Sequence, residues 1–149
     1  MRAVVQRVTQ ARVTVDGQTV GQVGPGLLVY AAAAPDDVDA DLAYIADKVA
    51  HLRIFPDEEG KMNRSLLNTG GDVLLVSAFT VQADARKGRR PSFDASAPGE
   101  VAAPLIERLV AAIRAHGLKV ETGRFAAYMQ VESVNDGPIC ILLDSRRAF

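Results

Sequence analysis

The chain has 149 residues, enough for one domain whose core needs neither disulfides nor a structural metal. Hydrophobic residues make up 48% and charged residues 23%, which excludes a disordered or fibrous chain and points to a soluble globular protein. A formal charge of -1 excludes nucleic-acid binding by bulk electrostatics and leaves that role to a local basic patch.

The opening segment from Met1 to Arg7 carries an early charge but no continuous apolar stretch and no signal-cleavage pattern, and no later run approaches a membrane span. The single Cys140 forbids an internal disulfide and a cysteine-rich zinc site, in keeping with a reducing compartment. The expectation is a cytoplasmic protein with no membrane segment, no metal and no cofactor.

In chain order, Arg2 to Val8 and Ala11 to Val15 read as strands, and Asp16-Gly17 favours a tight hairpin turn that returns Gln18 to Val23 antiparallel. Gly24-Pro25-Gly26 breaks the chain before Leu27 to Ala33, a short apolar run suited to a strand buried on both faces. After Pro35, Asp36 is the expected cap of a helix whose apolar stripe is Leu42, Ile45, Val49 and Leu52. Pro56 to Gly60 reads as a charged turn and Gly70-Gly71 as another, followed by a strong strand from Val73 to Phe79. A second helix starts near Pro98 with Glu100 in its first turn, carries Val101, Leu105, Leu109, Ala112 and Ile113 on one face, and stops at Gly117. Phe125 to Val134 and Ile139 to Asp144 read as strands flanking an Asn135-Asp-Gly-Pro138 turn. Strands early and late with two helices between them predict an α+β fold, a mainly antiparallel, barrel-like sheet with two packing helices.

The residues allow few kinds of catalysis. His51 and His116, the only histidines, end the two predicted helices and read as structural, so a serine or cysteine triad is hard to assemble. Cys140 lies in an apolar strand and reads as a small hydrophobe. Gly21, Gly24 and Gly26 open a strand rather than a helix, so no phosphate-binding helix start follows them. Asp36, Asp37, Asp39 and Asp41 read as a solvated, cap-forming face at a helix start rather than as metal ligands. Arg86, Lys87, Arg89 and Arg90 put four cations into five residues just after Ser77-Ala78-Phe79-Thr80. That loop is either a solvated turn or a phosphate contact, with Arg146 and Arg147 as further cations.

Segments spread over the whole chain then carry a likeness: Arg2 to Thr9, Leu52 to Phe55, Gly60 to Asn63, Gly88 to Phe93, Thr122 to Phe125 and Asn135 to Pro138. In these the chain resembles the D-aminoacyl-tRNA deacylase family, homodimeric proofreading enzymes. The resemblance implies that Gly137-Pro138 is joined by a cis peptide bond, projects into the partner subunit's site and excludes L-amino acids, with Arg7 orienting the motif. It also implies that Ser77-Ala78-Phe79-Thr80 matches the family's Ser-Gln-Phe-Thr. Backbone amides near Phe79 and Thr80 would then stabilise an oxyanion, and Met129 would line the pocket for the terminal adenosine. Thr80 is one choice of nucleophile. The substrate's own 2′-hydroxyl is favoured instead, because no side-chain base accompanies Thr80. The implied partners are aminoacyl-tRNA and a second copy of the chain.

The chain departs from the family's pattern in both motifs. Ala78 stands where the family has Gln, and Cys140 where it has Thr. Ala31 to Ala34 replace a more varied segment, and Tyr128 sits where an acidic residue is common. The leading expectation is hydrolysis of D-aminoacyl-tRNA, and of glycyl-tRNA, since glycine has no side chain to exclude. The alternatives are a divergent member deacylating another misacylated tRNA or acyl ester, and a non-catalytic tRNA-binding dimer.

Overall fold

One long opening strand organises the computed structural model, which describes residues 1–149. β1 (Arg2–Val15) is a single strand of 14 residues where two shorter ones were expected, because Thr9 and Gln10 contain no breaker and continue the extended chain. Asp16 and Gly17 both have positive φ, 49° and 75°, the demand of a two-residue hairpin turn, and β2 (Gln18–Val23) returns antiparallel as expected. β3 (Gly26–Ala32) follows. β1 is long enough to share one edge between them: Arg2 to Val8 pair with β3 and Ala11 to Val15 with β2.

The chain then forms α1 (Asp39–His51), a small hairpin of β4 (Phe55–Pro56) and β5 (Met62–Arg64), the short α2 (Leu66–Thr69), and β6 (Asp72–Ser77). After a 3-10 turn at Phe79–Gln82 come α3 (Gly99–Ala115), β7 (Val120–Thr122) and β8 (Gln130–Asp144). The main sheet runs β2-β1-β3-β6-β7, with β8 on the other edge of β1. All pairings of β1 are antiparallel, whereas β3–β6 and β6–β7 are parallel. The α+β reading holds, with the parallel pairs and a third, four-residue helix added to it. The sheet curls until β2 meets β7. A Cβ at Gly21 would lie 2.4 Å from the Thr122 carbonyl oxygen, so only glycine permits this approach and the nearly closed barrel it produces.

Period-two alternation on β3 and β6 sorts the core. Leu27, Val29, Ala31, Val73 and Leu75 face α1 and α3, where Leu42, Ile45, Val49, Leu109 and Ile113 meet them. Leu28, Leu74 and Val76 point the other way, into the barrel with Val8, Val13 and Val23. Each such fully buried Leu, Ile or Val contributes about 1.5–3 kcal/mol.

Four local expectations are corrected. Asp36 does not cap α1, which begins at Asp39. The Asp41 carboxylate caps it by accepting from the Val38 amide at 2.9 Å. Burial opposes ionisation of Asp41, but hydrogen bonds from the Ser145 hydroxyl and the Val38 amide outweigh it and hold its pKa below the usual carboxylate value. The acids are not one solvated face either: Asp37 is buried, accepting from the Ala34 amide at 2.7 Å and from the terminal ammonium of Met1, while Asp36 pairs with Arg146. β6 ends at Ser77, two residues before the expected Phe79, as the chain turns away from the sheet. Phe125 to Met129 form no strand. Ala126 turns there with φ of 59°, and β8 starts at Gln130.

Candidate active site

The parallel pair β3–β6 ends at Ala31↔Ser77, and beyond that pair the two chains diverge. The gap they leave is a cavity of about 760 Å³. Tyr30 to Ala33 and Val76 to Thr80 form its floor, α3 one wall through Ala102 and Ile106, and the turn Phe125 to Met129 the other. Its lining contains no carboxylate, histidine, lysine, arginine or cysteine, and its polar side chains are Tyr30, Ser77, Thr80 and Tyr128. Burial pushes the Tyr30 phenol above its ordinary pKa, so it stays a neutral donor.

The main chain supplies what the side chains lack. The Ala78 amide donates to Ala31 O at 2.9 Å and the Val81 amide to Ala78 O at 3.0 Å, whereas the Phe79 and Thr80 amides between them donate to no backbone carbonyl. This is the ordinary state of the first amides of a helical turn. They suit an oxygen that acquires negative charge, and Ser77, Ala78, Phe79, Thr80 and Met129 line the same cavity. The Phe79 ring, 57% exposed, meets Phe93 edge-to-face at 5.1 Å. Ser96 Oγ donates to the Phe79 carbonyl at 2.8 Å.

The basic loop leaves this turn and closes on itself. Asp84 and Ser92 exchange two backbone hydrogen bonds of 2.8 Å, which makes residues 85–91 a pinched-off loop. Arg86 folds back onto Asp84 and holds that carboxyl well below the usual carboxylate range, and its own pKa rises in return. Lys87, Arg89 and Arg90 are exposed and form no ion pair, so the loop's free charge belongs to these three. Arg146 is paired with Asp36 and Asp37, and the Arg147 guanidinium lies 5.7 Å from the Tyr44 ring centroid.

Asn135-Asp-Gly-Pro138 is not the hairpin turn read from its residue types. β8 is one strand that pairs with β1 on both sides of it. The register passes from Gln6↔Cys140 to Val8↔Asn135, so five steps on β8 face two on β1 and the excess is extruded. The Gly137-Pro138 peptide is cis, as the resemblance implies, and Gly137 has φ of 132°, open to glycine but not to L side chains. Asn135 Nδ2 clamps the base of the excursion by donating to Arg7 O and Ile139 O, both at 2.9 Å. Arg7 braces it: Nε donates to Asp136 O at 3.2 Å and pairs with its carboxylate at 3.0 Å, while Nη1 donates to Ile54 O at 2.6 Å. Gly137 and Pro138 are exposed and do not line the cavity of their own chain.

Sequence reading missed Tyr30, the α3 wall at Ala102 and Ile106, and Ala97. A buried strand, an amphipathic helix and a loop reveal no shared cavity until the parallel pairing is known. Cys140 is corrected from a buried hydrophobe to an exposed thiol, because β8 has one outward face on which Cys140 and Leu142 alternate with inward Ile139 and Ile141. His51 and His116 meet edge-to-face with ring centroids 5.2 Å apart, and neither lines the cavity.

Comparison with known proteins adds to this geometry. The D-Tyr-tRNA(Tyr) deacylase family matches residues 4–144. A protein of Symbiobacterium thermophilum named D-aminoacyl-tRNA deacylase is 57% identical over 149 residues, covering 100% of this chain and 99% of that one. Among solved structures, the c-Myc DNA Unwinding Element Binding Protein is similar with a TM-score of 0.91 and 37% identity, over 97% of this chain and 98% of that one. A probable eukaryotic D-amino acid tRNA deacylase is similar in fold, with a TM-score of 0.81 at 21% identity over 95% of this chain and 97% of that one.

Proposed function

Because the chain belongs to the D-Tyr-tRNA(Tyr) deacylase family, we propose that residues 1–149 act as one unit that hydrolyses the ester of D-aminoacyl-tRNA, releasing free tRNA and the D-amino acid. The observation that carries this reading is the pair of free amides, Phe79 and Thr80, on the floor of a cavity whose lining has no carboxylate, imidazole, amine, guanidinium or thiol. Water adds to the ester carbon, and the carbonyl oxygen takes up negative charge facing those amides. The intermediate then collapses with cleavage of the bond to the ribose 3′ oxygen. The proton lost by water ends on that oxygen, relayed by the neighbouring 2′-hydroxyl. In well-studied hydrolases, removing one such oxyanion donor costs about 3–4 kcal/mol. Thr80 has no base beside it in the cavity, which favours the substrate's hydroxyl over Thr80 as the assisting group.

Ser77, Ala78 and Met129 would line the space for the amino acid and terminal adenosine, and of the four loop cations Lys87, Arg89 and Arg90 are the ones free to meet tRNA phosphates, Arg86 being held by Asp84. Gly137-Pro138 reads chirality by exclusion from the site of a second copy, which leaves glycyl-tRNA as a substrate. Two features support such a homodimer: the braced motif is outside its own chain's cavity, and β8 is an edge strand that exposes Val134 and Leu142 by 48% and 60%. A cytoplasmic setting belongs to the same reading.

The test is deacylation of matched D-tyrosyl-, L-tyrosyl- and glycyl-tRNA, with sedimentation of the same protein. Loss of the D and glycyl esters with the L ester spared, in a dimer, is the expected result. Equal loss of D and L esters overturns chiral exclusion and favours the divergent deacylase; salt-sensitive tRNA binding with no ester loss leaves a binding dimer; full activity in a monomer removes the cross-subunit role of Gly137-Pro138.

A further inference from the structure

Ser96 lies outside the cavity lining, yet it holds the peptide unit on which the proposed chemistry depends. The Phe79 carbonyl and the Thr80 amide belong to one peptide, and in this chain only Gly137-Pro138 is cis. In a planar trans peptide the C=O and N–H vectors are antiparallel, so a bond that fixes one fixes the other. Ser96 Oγ donates to Phe79 O at 2.8 Å, which sets the plane and aims the Thr80 N–H to the opposite side. The same bond polarises the peptide and strengthens its N–H as a donor.

We propose that Ser96 is a positioning residue for hydrolysis, orienting and polarising the Thr80 amide through the Phe79 carbonyl. The inference rests on the reading of that amide as an oxyanion donor. The anchor itself is well held. Ser96 N donates to Phe93 O at 2.9 Å, closing a tight turn, and the next residue, Ala97, donates to Ala33 O at 2.9 Å, tying the turn to the end of β3. From within the same turn the Phe93 ring packs on the Phe79 ring at 5.1 Å. Phe79 is therefore gripped twice by one short segment, by its side chain and by its carbonyl. That segment begins at Ser92, the closing pair of the basic loop, so the proposed phosphate contacts and the amide share one mechanical mount.

Steady-state kinetics on D-tyrosyl-tRNA with wild-type, Ser96→Ala and Ser96→Thr proteins test this, with melting temperatures measured alongside. Loss of one hydrogen bond to the peptide lowers kcat roughly three- to tenfold in Ser96→Ala, with KM and melting temperature unchanged, and Ser96→Thr restores most of it. An unchanged kcat in Ser96→Ala, a change confined to KM, or a loss that tracks the melting temperature and is not mended by Thr overturns the inference while wild-type activity leaves the reading of the site standing. A wild-type protein without ester hydrolysis removes both.

Discussion

The two regions that define the proposed site are built in opposite ways. At Ser77–Thr80 the main chain is the working part, presented by a turn at the end of a parallel strand pair, and the side chains around it are small and apolar. At Asn135–Pro138 the side chains of Arg7 and Asn135 do the holding, and what they hold is a backbone excursion that no strand register would keep by itself. The first region is therefore expected to tolerate changes of residue identity as long as the amides stay, and the second to fail when a single bracing side chain is lost.

The sharpest way to break this contrast is to remove an amide without removing the fold. Ala78 has φ -144° and ψ 86°, outside the helical region that a following proline disfavours, and Phe79 opens a helical turn, where proline is tolerated. Phe79→Pro is expected to lower kcat by about 100- to 1000-fold by deleting one oxyanion donor. Phe79→Ala, which keeps the amide and loses only the ring against Phe93, is expected to lose far less; equal losses would falsify the main-chain assignment. Next in size is Arg7→Ala. It leaves the Ile54 and Asp136 carbonyls without their charged donor and is expected to cost about 1.5–3 kcal/mol in denaturant unfolding. It should also raise hydrolysis of L- relative to D-tyrosyl-tRNA, a change that the Phe79 variants should not produce.

Ala78→Gln adds a polar side chain beside the amides without touching them, so its effect on kcat is expected to stay within roughly tenfold. A silent wild type awakened by Gln would instead mean that this side chain is essential. For Arg89→Ala, the expected effect is weaker tRNA binding with a salt slope reduced by about 1, the signature of one lost phosphate contact. The smallest effect concerns Asp84, whose folded-state pKa is depressed by Arg86. A depressed carboxylate contributes its stability fully above its unfolded value, about pH 4, and loses it as pH falls through the lower folded midpoint. Carbon-detected titration of Asp84 should therefore show a midpoint well below 4, moving back toward it in Arg86→Ala.

Much of the fold was legible because local chemistry and tertiary structure agree. Asp16-Gly17 makes its hairpin, Gly117 stops α3 with φ of 90°, and the apolar runs at Leu27 and Val73 are the strands buried on both faces. The failures have a common cause in nonlocal pairing. Asn-Asp-Gly-Pro suits a hairpin turn and an extruded bulge equally well, and only the unbroken length of β1 opposite it decides between them. Cys140 and its apolar neighbours read as a hydrophobic strand with Cys140 a small hydrophobe in it, until β8 proves to be an edge. The acids before α1 read as caps until their cations arrive from Met1 and Arg146. For the site, the residues of the Ser77–Thr80 turn were legible through family likeness, while Tyr30 and Ser96 were not, since neither has a periodicity or spacing that marks it.

A cavity lined without thiol, imidazole, amine or carboxylate also has a consequence for chemical biology. Electrophilic probes that label hydrolases by capturing an activated nucleophile meet only hydroxyls with no base beside them in this cavity, so labelling within the site is expected to be absent and any adduct should map to the exposed Cys140 instead. Inhibitors must instead match shape and offer an oxyanion mimic to the turn, and resistance to them would arise from bulkier lining residues rather than from loss of a nucleophile.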